Sequence, residues 1–206
     1  MTRHFKRLVK EYRGAVIVKG NPISLLRRWI SEAELAGHPE ANAFTLSTTG
    51  PSSRVVLLKA LRGRVLTFFS NYLSFKGREL QKSNKVAINF YWGELHRQVR
   101  ILGRAKRSPV AVSDRYFASR PRGAQLAVHA ALQSAPISSR QELLDRYSET
   151  ELKFRDKSIP RPINWGGYDV TIDSIEFWQG MPSRLHDRVF FKYSQSKGWV
   201  ANRLAP

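Results

Sequence analysis

KVAINFYWGELHRQVRILGRAKR, residues 85–107, decides the fold. Residues 85–92 and 96–107 are rich in β-branched and aromatic side chains and are separated by a short Gly-Glu-Leu stretch, so they read as a hairpin. In the second arm Gln98, Arg100 and Leu102 share one face while Val99 and Ile101 share the other, the two-residue period of a half-buried strand. Upstream, AFTLSTTGPSSRVVLLKAL (43–61) predicts two strands about a Gly-Pro turn, and RVLTFFS (64–70) a third. Downstream, GYDVTIDSIEFWQG (167–180), SRLHDRVFFKYS (183–194) and GWVANRLAP (198–206) return to strands. Helices are expected after Asn21-Pro22 with Gly37 as the stop, at SFKGRELQKS with Ser74 as N-cap, and over 109–133 and 139–156, divided at Ala135-Pro136. Strands come first, helices cluster in the middle and strands close the chain. Without regular βαβ alternation, a doubly wound parallel sheet is excluded in favour of an α+β antiparallel barrel with helices packed outside.

The 206 residues fit one domain, expected over 21–206, with 1–20 as a basic arm. There is no cysteine, so disulfides, thiolate nucleophiles and Cys-ligated metal are excluded. The five histidines, at 4, 38, 96, 129 and 186, lack metal-ligand spacing, and no metal is expected. No apolar run approaches the ~18 residues that span a bilayer, and the basic N-terminus carries no secretory signal, so the expected location is the cytoplasm. Thirty-five Lys and Arg against sixteen Asp and Glu give +19. Such a charge attracts anions, whether nucleic acid, acidic membrane or phosphorylated small molecules, and cannot choose among them. No RNP-like aromatic motif, finger or long basic helix is present, so neither a specific nucleic acid nor a membrane is an expected partner.

Nucleotide-binding glycine loops, GxSxG and HExxH are all missing. The chemistry must come from cations on strand-like segments. Arg54 and Lys59 bracket VVLL and, five apart, would face opposite sides of a regular strand. They read either as solvated strand ends or as phosphate ligands at a barrel rim. Tyr116 and Arg120, at i and i+4, would share a helix face, as a surface stack or as an anion grip. Arg184, His186 and Arg188 alternate and would point one way on a strand, with Asp187 opposite. Their mutual repulsion fits an anion or an aromatic ring lying across them, near Trp178. An edge strand charged against aggregation is the other reading.

RVVLLK (54–59), SxKGREL (74–80), RQV (97–99), YFASRPRGAQ (116–125), LQS (132–134), INWGGYDV (163–170), EFWQG (176–180), RLHDR (184–188) and the closing RLAP (203–206) together resemble the pyridoxine/pyridoxamine 5′-phosphate oxidases. The resemblance runs in order from KEY (10–12) to the last residue. It implies an FMN-binding split barrel, homodimeric, with active sites at the dimer interface. It implies oxidation of pyridoxamine or pyridoxine 5′-phosphate to pyridoxal 5′-phosphate by O2, with H2O2 released. By the same resemblance FMN meets Arg54, Val55, Val56, Leu57, Leu58, Lys59, Phe69, Ser70, Lys76, Gln98, Gln133, Ser134, Trp178 and Arg188. The substrate phosphate meets Lys59, Tyr116 and Arg120. Arg184, Leu185 and His186 lie over the substrate, Arg184 fixing its ring and His186 orienting the amine or hydroxyl and taking its proton. Tyr12 resembles a lid residue.

Three departures stand out. Phe75 replaces an Arg that often donates to the FMN phosphate, Ala124 replaces a Ser on the substrate phosphate, and Val9 replaces an Arg in the arm. The loss at Ala124 is worth ~1–3 kcal/mol and predicts weaker substrate affinity. Two rival readings remain: a related flavin oxidase of the phenazine-pathway type, and a non-catalytic carrier of pyridoxal phosphate or basic nucleic-acid binder.

Overall fold

The computed structural model describes residues 20–206. Tyr12, Val9 and the expected arm lie outside the described residues. Helix α1 (Pro22–Leu35) starts where Asn21 accepts a bond from the Ile23 amide, with Pro22 at the first helical position. It stops at Gly37, whose φ of +85° lets the Gly37 and His38 amides bond back to Glu34 and Ala33. Ile23, Leu26, Trp29 and Ala33 form its buried stripe.

Strands β1 (Ala43–Thr48), β2 (Ser52–Leu57), β3 (Ala60–Arg62), β4 (Val65–Asn71), β5 (Lys85–Trp92), β6 (Arg97–Arg107) and β7 (Trp165–Gln179) pair in the order β2-β1-β5-β6-β7-β4-β3. β8 (Asp187–Ser194) adds to β7, and β9 (Gly198–Leu204) adds to β8. Every pairing is antiparallel. The two ends of the seven-strand path, β2 and β3, are joined only by Leu58 and Lys59. Two residues span at most about 10 Å, whereas six flat inter-strand gaps would span about 29 Å. The sheet therefore curls until its edges nearly meet. At that seam the Leu58 amide bonds Asn42 and the Lys59 amide bonds Thr67. Opposite Leu102 and Gly103 the register shifts, with Asp173 as the extra residue of a bulge that helps β7 bend, and a Cβ at Gly103 would collide with the Thr171 carbonyl.

Inside lie Phe44, Leu46, Phe68, Phe90, Val99, Ile101, Val170 and Phe177, capped by Trp29 edge-on to Phe177 at 5.1 Å. Helix α2 (Phe75–Lys82) follows β4, and α3 (Val110–Ala118), α4 (Arg122–Ala130) and α5 (Arg140–Lys153) flank the sheet. Phe117, Leu126, Ile159 and Trp165 form a second core that ties these helices to the start of β7. Among the described residues no helix is long and apolar enough to cross a membrane.

The α+β antiparallel architecture, the Gly50-Pro51 turn, the Ser74 cap and the alternation along β6 match the sequence reading. Four local expectations do not. The helix expected over 109–133 is two helices broken at Pro121, which leaves Arg120 outside α3. The ladder at β2 ends at Leu57, so Arg54 and Lys59 do not occupy one regular strand. His96 precedes β6 in a left-handed conformation, φ 50°. RLHDR is not a strand: Pro182–Arg184 form a 3-10 turn with φ of 56° at Ser183 and 59° at Arg184, and β8 begins only at Asp187. The shared face predicted for Arg184, His186 and Arg188 is thereby lost.

Candidate active site

The curl of the sheet leaves a cavity of about 750 Å³ between β2, β4, α2 and the α3–α4 corner. That volume suits a small-molecule ligand. Eleven of the residues singled out from sequence line it: Arg54, Val55, Val56, Leu57, Lys59, Phe69, Ser70, Lys76, Tyr116, Arg120 and Gln133. The end of β2 at Leu57 lets Lys59 turn into the same cavity as Arg54. The kink before Pro121 keeps Arg120 beside Tyr116. Leu58 turns inward against the barrel core instead. Ser134 (exposed, φ 72°), Phe75 (exposed at the start of α2) and Ala124 (half-buried on α4) do not line the cavity.

At one end Lys76, nearly fully buried, donates to Ser70 Oγ at 3.1 Å. Burial, and then the nearby Arg54 guanidinium, hold its ammonium below the ordinary lysine value. Gln133 Oε1 accepts from Ser70 Oγ and from the Asn71 amide. Arg54 binds Thr48 Oγ1 at 2.9 Å, Ser52 Oγ at 2.6 Å and Glu79 at 3.0 Å.

The other end is aromatic. Phe69 stacks on Tyr116 at 3.8 Å, and Trp165 lies parallel to both rings, 5.6 and 6.2 Å away. The Arg120 guanidinium sits over Trp165 at 4.8 Å. Its Nη1 is buried without a hydrogen-bond partner. Burial lowers its pKa, against an opposing influence of Tyr116. A buried, unsatisfied cationic donor and a desolvated ammonium are costly unless an anion arrives. The donor set thus fits a group that carries phosphate on an aromatic ring.

The remaining singled-out residues are elsewhere. Gln98, Trp178 and Arg188 are direct register partners in one row across β6, β7 and β8. Arg188 bonds Glu176 at 2.9 Å and the Ala205 carbonyl. The His186 ring lies 4.7 Å from Trp178 and accepts from the Met181 amide through Nδ1, so a neutral ring carries its proton on Nε2. Arg184 and Leu185 are exposed in the preceding turn. The row and the cavity occupy opposite ends of the 15-residue β7, about 40 Å apart along the strand at ~3.3 Å per residue. Within one chain these two groups of residues stay apart.

Sequence reasoning missed Trp165 and Asn71, which line the cavity, and Glu79, which holds Arg54. Trp165 and Glu79 stood inside quoted motifs without a role.

Residues 30–154 match the family described as "Pyridoxamine 5′-phosphate oxidase", and residues 165–206 match "Pyridoxine 5′-phosphate oxidase C-terminal dimerisation region". The chain is 47% identical over 190 residues to a pyridoxine/pyridoxamine 5′-phosphate oxidase of Rubrobacter xylanophilus, covering 90% of this chain and 87% of that protein. It is 44% identical over 193 residues to one from Cupriavidus pinatubonensis, covering 92% and 91%. Among solved structures it resembles PhzG from Burkholderia lata, in complex with tetrahydrophenazine-1-carboxylic acid, with a TM-score of 0.84, 26% identity and coverage of 100% and 98%. It shares the fold of a pyridoxamine 5′-phosphate oxidase-related, FMN binding protein from Nostoc punctiforme, with a TM-score of 0.68, 15% identity and coverage of 87% and 97%. These neighbours identify the curled sheet as a split barrel.

Proposed function

Because the chain belongs to the pyridoxine/pyridoxamine 5′-phosphate oxidase family, we propose that it is an FMN-dependent oxidase converting pyridoxamine and pyridoxine 5′-phosphates to pyridoxal 5′-phosphate with O2. One observation carries the reading. A single cavity gathers Arg54, Lys59, Lys76, Arg120 and the Tyr116 phenol, with two of those cations drawn away from water. Two phosphorylated rings satisfy that arrangement better than any neutral ligand.

Bound FMN would supply the hydride acceptor and the route to oxygen. Arg54, Lys76, Ser70 and Gln133 would hold its phosphate, with Phe69 and the 55–58 backbone against its ring system. Lys59, Tyr116 and Arg120 would hold the substrate phosphate, and Ala124, one turn before Val128, offers that phosphate no donor. Anchoring by the phosphate fixes the substrate's reacting carbon, an effect of proximity. Gln98, Trp178 and Arg188 cannot reach the same ligand from one chain, so the active unit is a homodimer in which the row of one copy completes the cavity of the other. The match of 165–206 to a dimerisation region supports this arrangement. Arg184, Leu185 and His186 then cover the substrate from the second copy. The Met181 bond makes His186 Nε2 a donor, which suits orienting the 4′ oxygen or neutral amine. Taking a proton there would first require the ring to surrender its own.

The test is oxygen uptake by the flavin-loaded protein with pyridoxine 5′-phosphate, pyridoxamine 5′-phosphate and a tetrahydrophenazine-1-carboxylate. The structural likeness to PhzG is the specific reason for including the third. Turnover of either B6 phosphate well above the phenazine supports the proposal; turnover of the phenazine alone refutes it.

A further inference from the structure

Among the described residues Glu79 is the acid that pairs with a cation lining the basic end of the cavity, Arg54. Its carboxylate accepts from Thr48 Oγ1 at 2.6 Å, from Ser52 Oγ at 2.7 Å and from Arg54 Nη2 at 3.0 Å. Burial pushes the carboxyl up, but those side-chain hydrogen bonds and the Arg54 charge outweigh it and hold Glu79 below the ordinary range. Thr48 and Ser52 flank the β1–β2 turn, and a Cβ at Gly50 would come within 2.8 Å of Glu79 Oε1, so the turn is packed directly on this carboxylate. Glu79 also stands three residues after Lys76 on α2, one turn along the same face. It therefore fixes Arg54, on one wall, relative to Lys76, on the other.

We infer that Glu79 is a positioning residue for anion capture: it sets the Arg54 guanidinium at the angle from which, together with Lys76, it grips the phosphate of the flavin. The inference rests on the reading of this end of the cavity as the flavin phosphate site. Charge and geometry make opposite forecasts. By charge alone, removing a carboxylate beside Arg54 and Lys76 strengthens the local positive field and tightens a dianion. If orientation is the role, Glu79→Gln places an NH2 donor against Ser52 or Arg54, turns the guanidinium aside and loosens the dianion.

The experiment titrates flavin-free protein with FMN and, separately, with riboflavin, which lacks the phosphate, following flavin fluorescence. Wild type, Glu79→Gln, Ser52→Ala and Arg54→Ala are compared. Expected is a loss of FMN affinity of about ten-fold or more in Glu79→Gln, from one misdirected charge-assisted bond. A smaller loss is expected in Ser52→Ala, with riboflavin affinity unchanged in both. Unchanged or tighter FMN binding in Glu79→Gln, while Arg54→Ala loses affinity, overturns the role of Glu79 and leaves the phosphate site standing. Equal losses for FMN and riboflavin reduce Glu79 to a structural prop and also overturn it. Unchanged FMN binding in Arg54→Ala overturns the phosphate-site reading, and the inference with it.

Discussion

Replacing Arg120 with methionine should stabilise the flavin-free protein and at the same time weaken its hold on the substrate. The guanidinium lies over Trp165, and its Nη1 is buried with no acceptor. An unsatisfied buried donor costs ~1–3 kcal/mol, and the cation–π contact returns ~0.5–2 kcal/mol. Methionine keeps most of the apolar stem and removes both effects. The net gain is about 1 kcal/mol, which for a chain of this size raises Tm by about 2–4 °C. In the complex the balance reverses, because each charge-assisted bond to the substrate phosphate is worth ~1.5–3 kcal/mol. Losing one raises KM by about 10- to 100-fold. Calorimetry of the flavin-free protein reads the first effect and oxygen uptake at varied pyridoxine 5′-phosphate reads the second. A lower Tm together with an unchanged KM would refute the reasoning, since Arg120 would then be a structural cation already satisfied.

Lys76 supplies a pH signature. Its folded pKa lies below the ordinary 10.5, so the unfolded chain binds that proton more tightly, and its contribution makes stability rise with pH between the lowered value and 10.5. FMN affinity should fall over the same window as the ammonium discharges, riboflavin affinity should not, and Lys76→Arg should abolish the FMN trend. Trp178→Ala and Arg188→Ala should lower the flavin content of the purified protein, whereas Arg184→Ala and His186→Ala should keep the flavin and depress kcat; flavin absorbance and oxygen uptake separate the two classes. Ala124→Ser should lower KM for the B6 phosphates by restoring a donor near Ala127 and Val128, and an unchanged or higher KM in the same assay counts against it.

The sequence carried local periodicity well. Gln98, Arg100 and Leu102 alternate with buried Val99 and Ile101 as expected, because a two-residue period is a property of the strand alone. It failed where distant partners decide the backbone. On a regular strand Arg54 and Lys59 would diverge, but the Leu58 and Lys59 amides are captured by Asn42 and Thr67, and that capture bends the chain into the seam. Ser183 and Arg184 adopt left-handed conformations that residue type disfavours, so alternation in RLHDR misread a turn as a strand. Glu79 went unnoticed because a lone acid on a short polar helix usually meets water. Only the folded hairpin brings Thr48, Ser52 and Arg54 to it.

Strand β7 works as a ruler. It is bonded to β4 over Trp165–Thr171, to β6 from Tyr168 to Gln179 and to β8 from Ser174 to Gln179, with Trp165 marking zero and Trp178 the far graduation. One residue more or fewer between them, unless absorbed in a bulge as Asp173 is, would turn everything beyond to the opposite face and aim the far row into the core. Diversification of ligand choice within this scaffold is therefore simplest by exchanging side chains at the two ends, with the length between them kept.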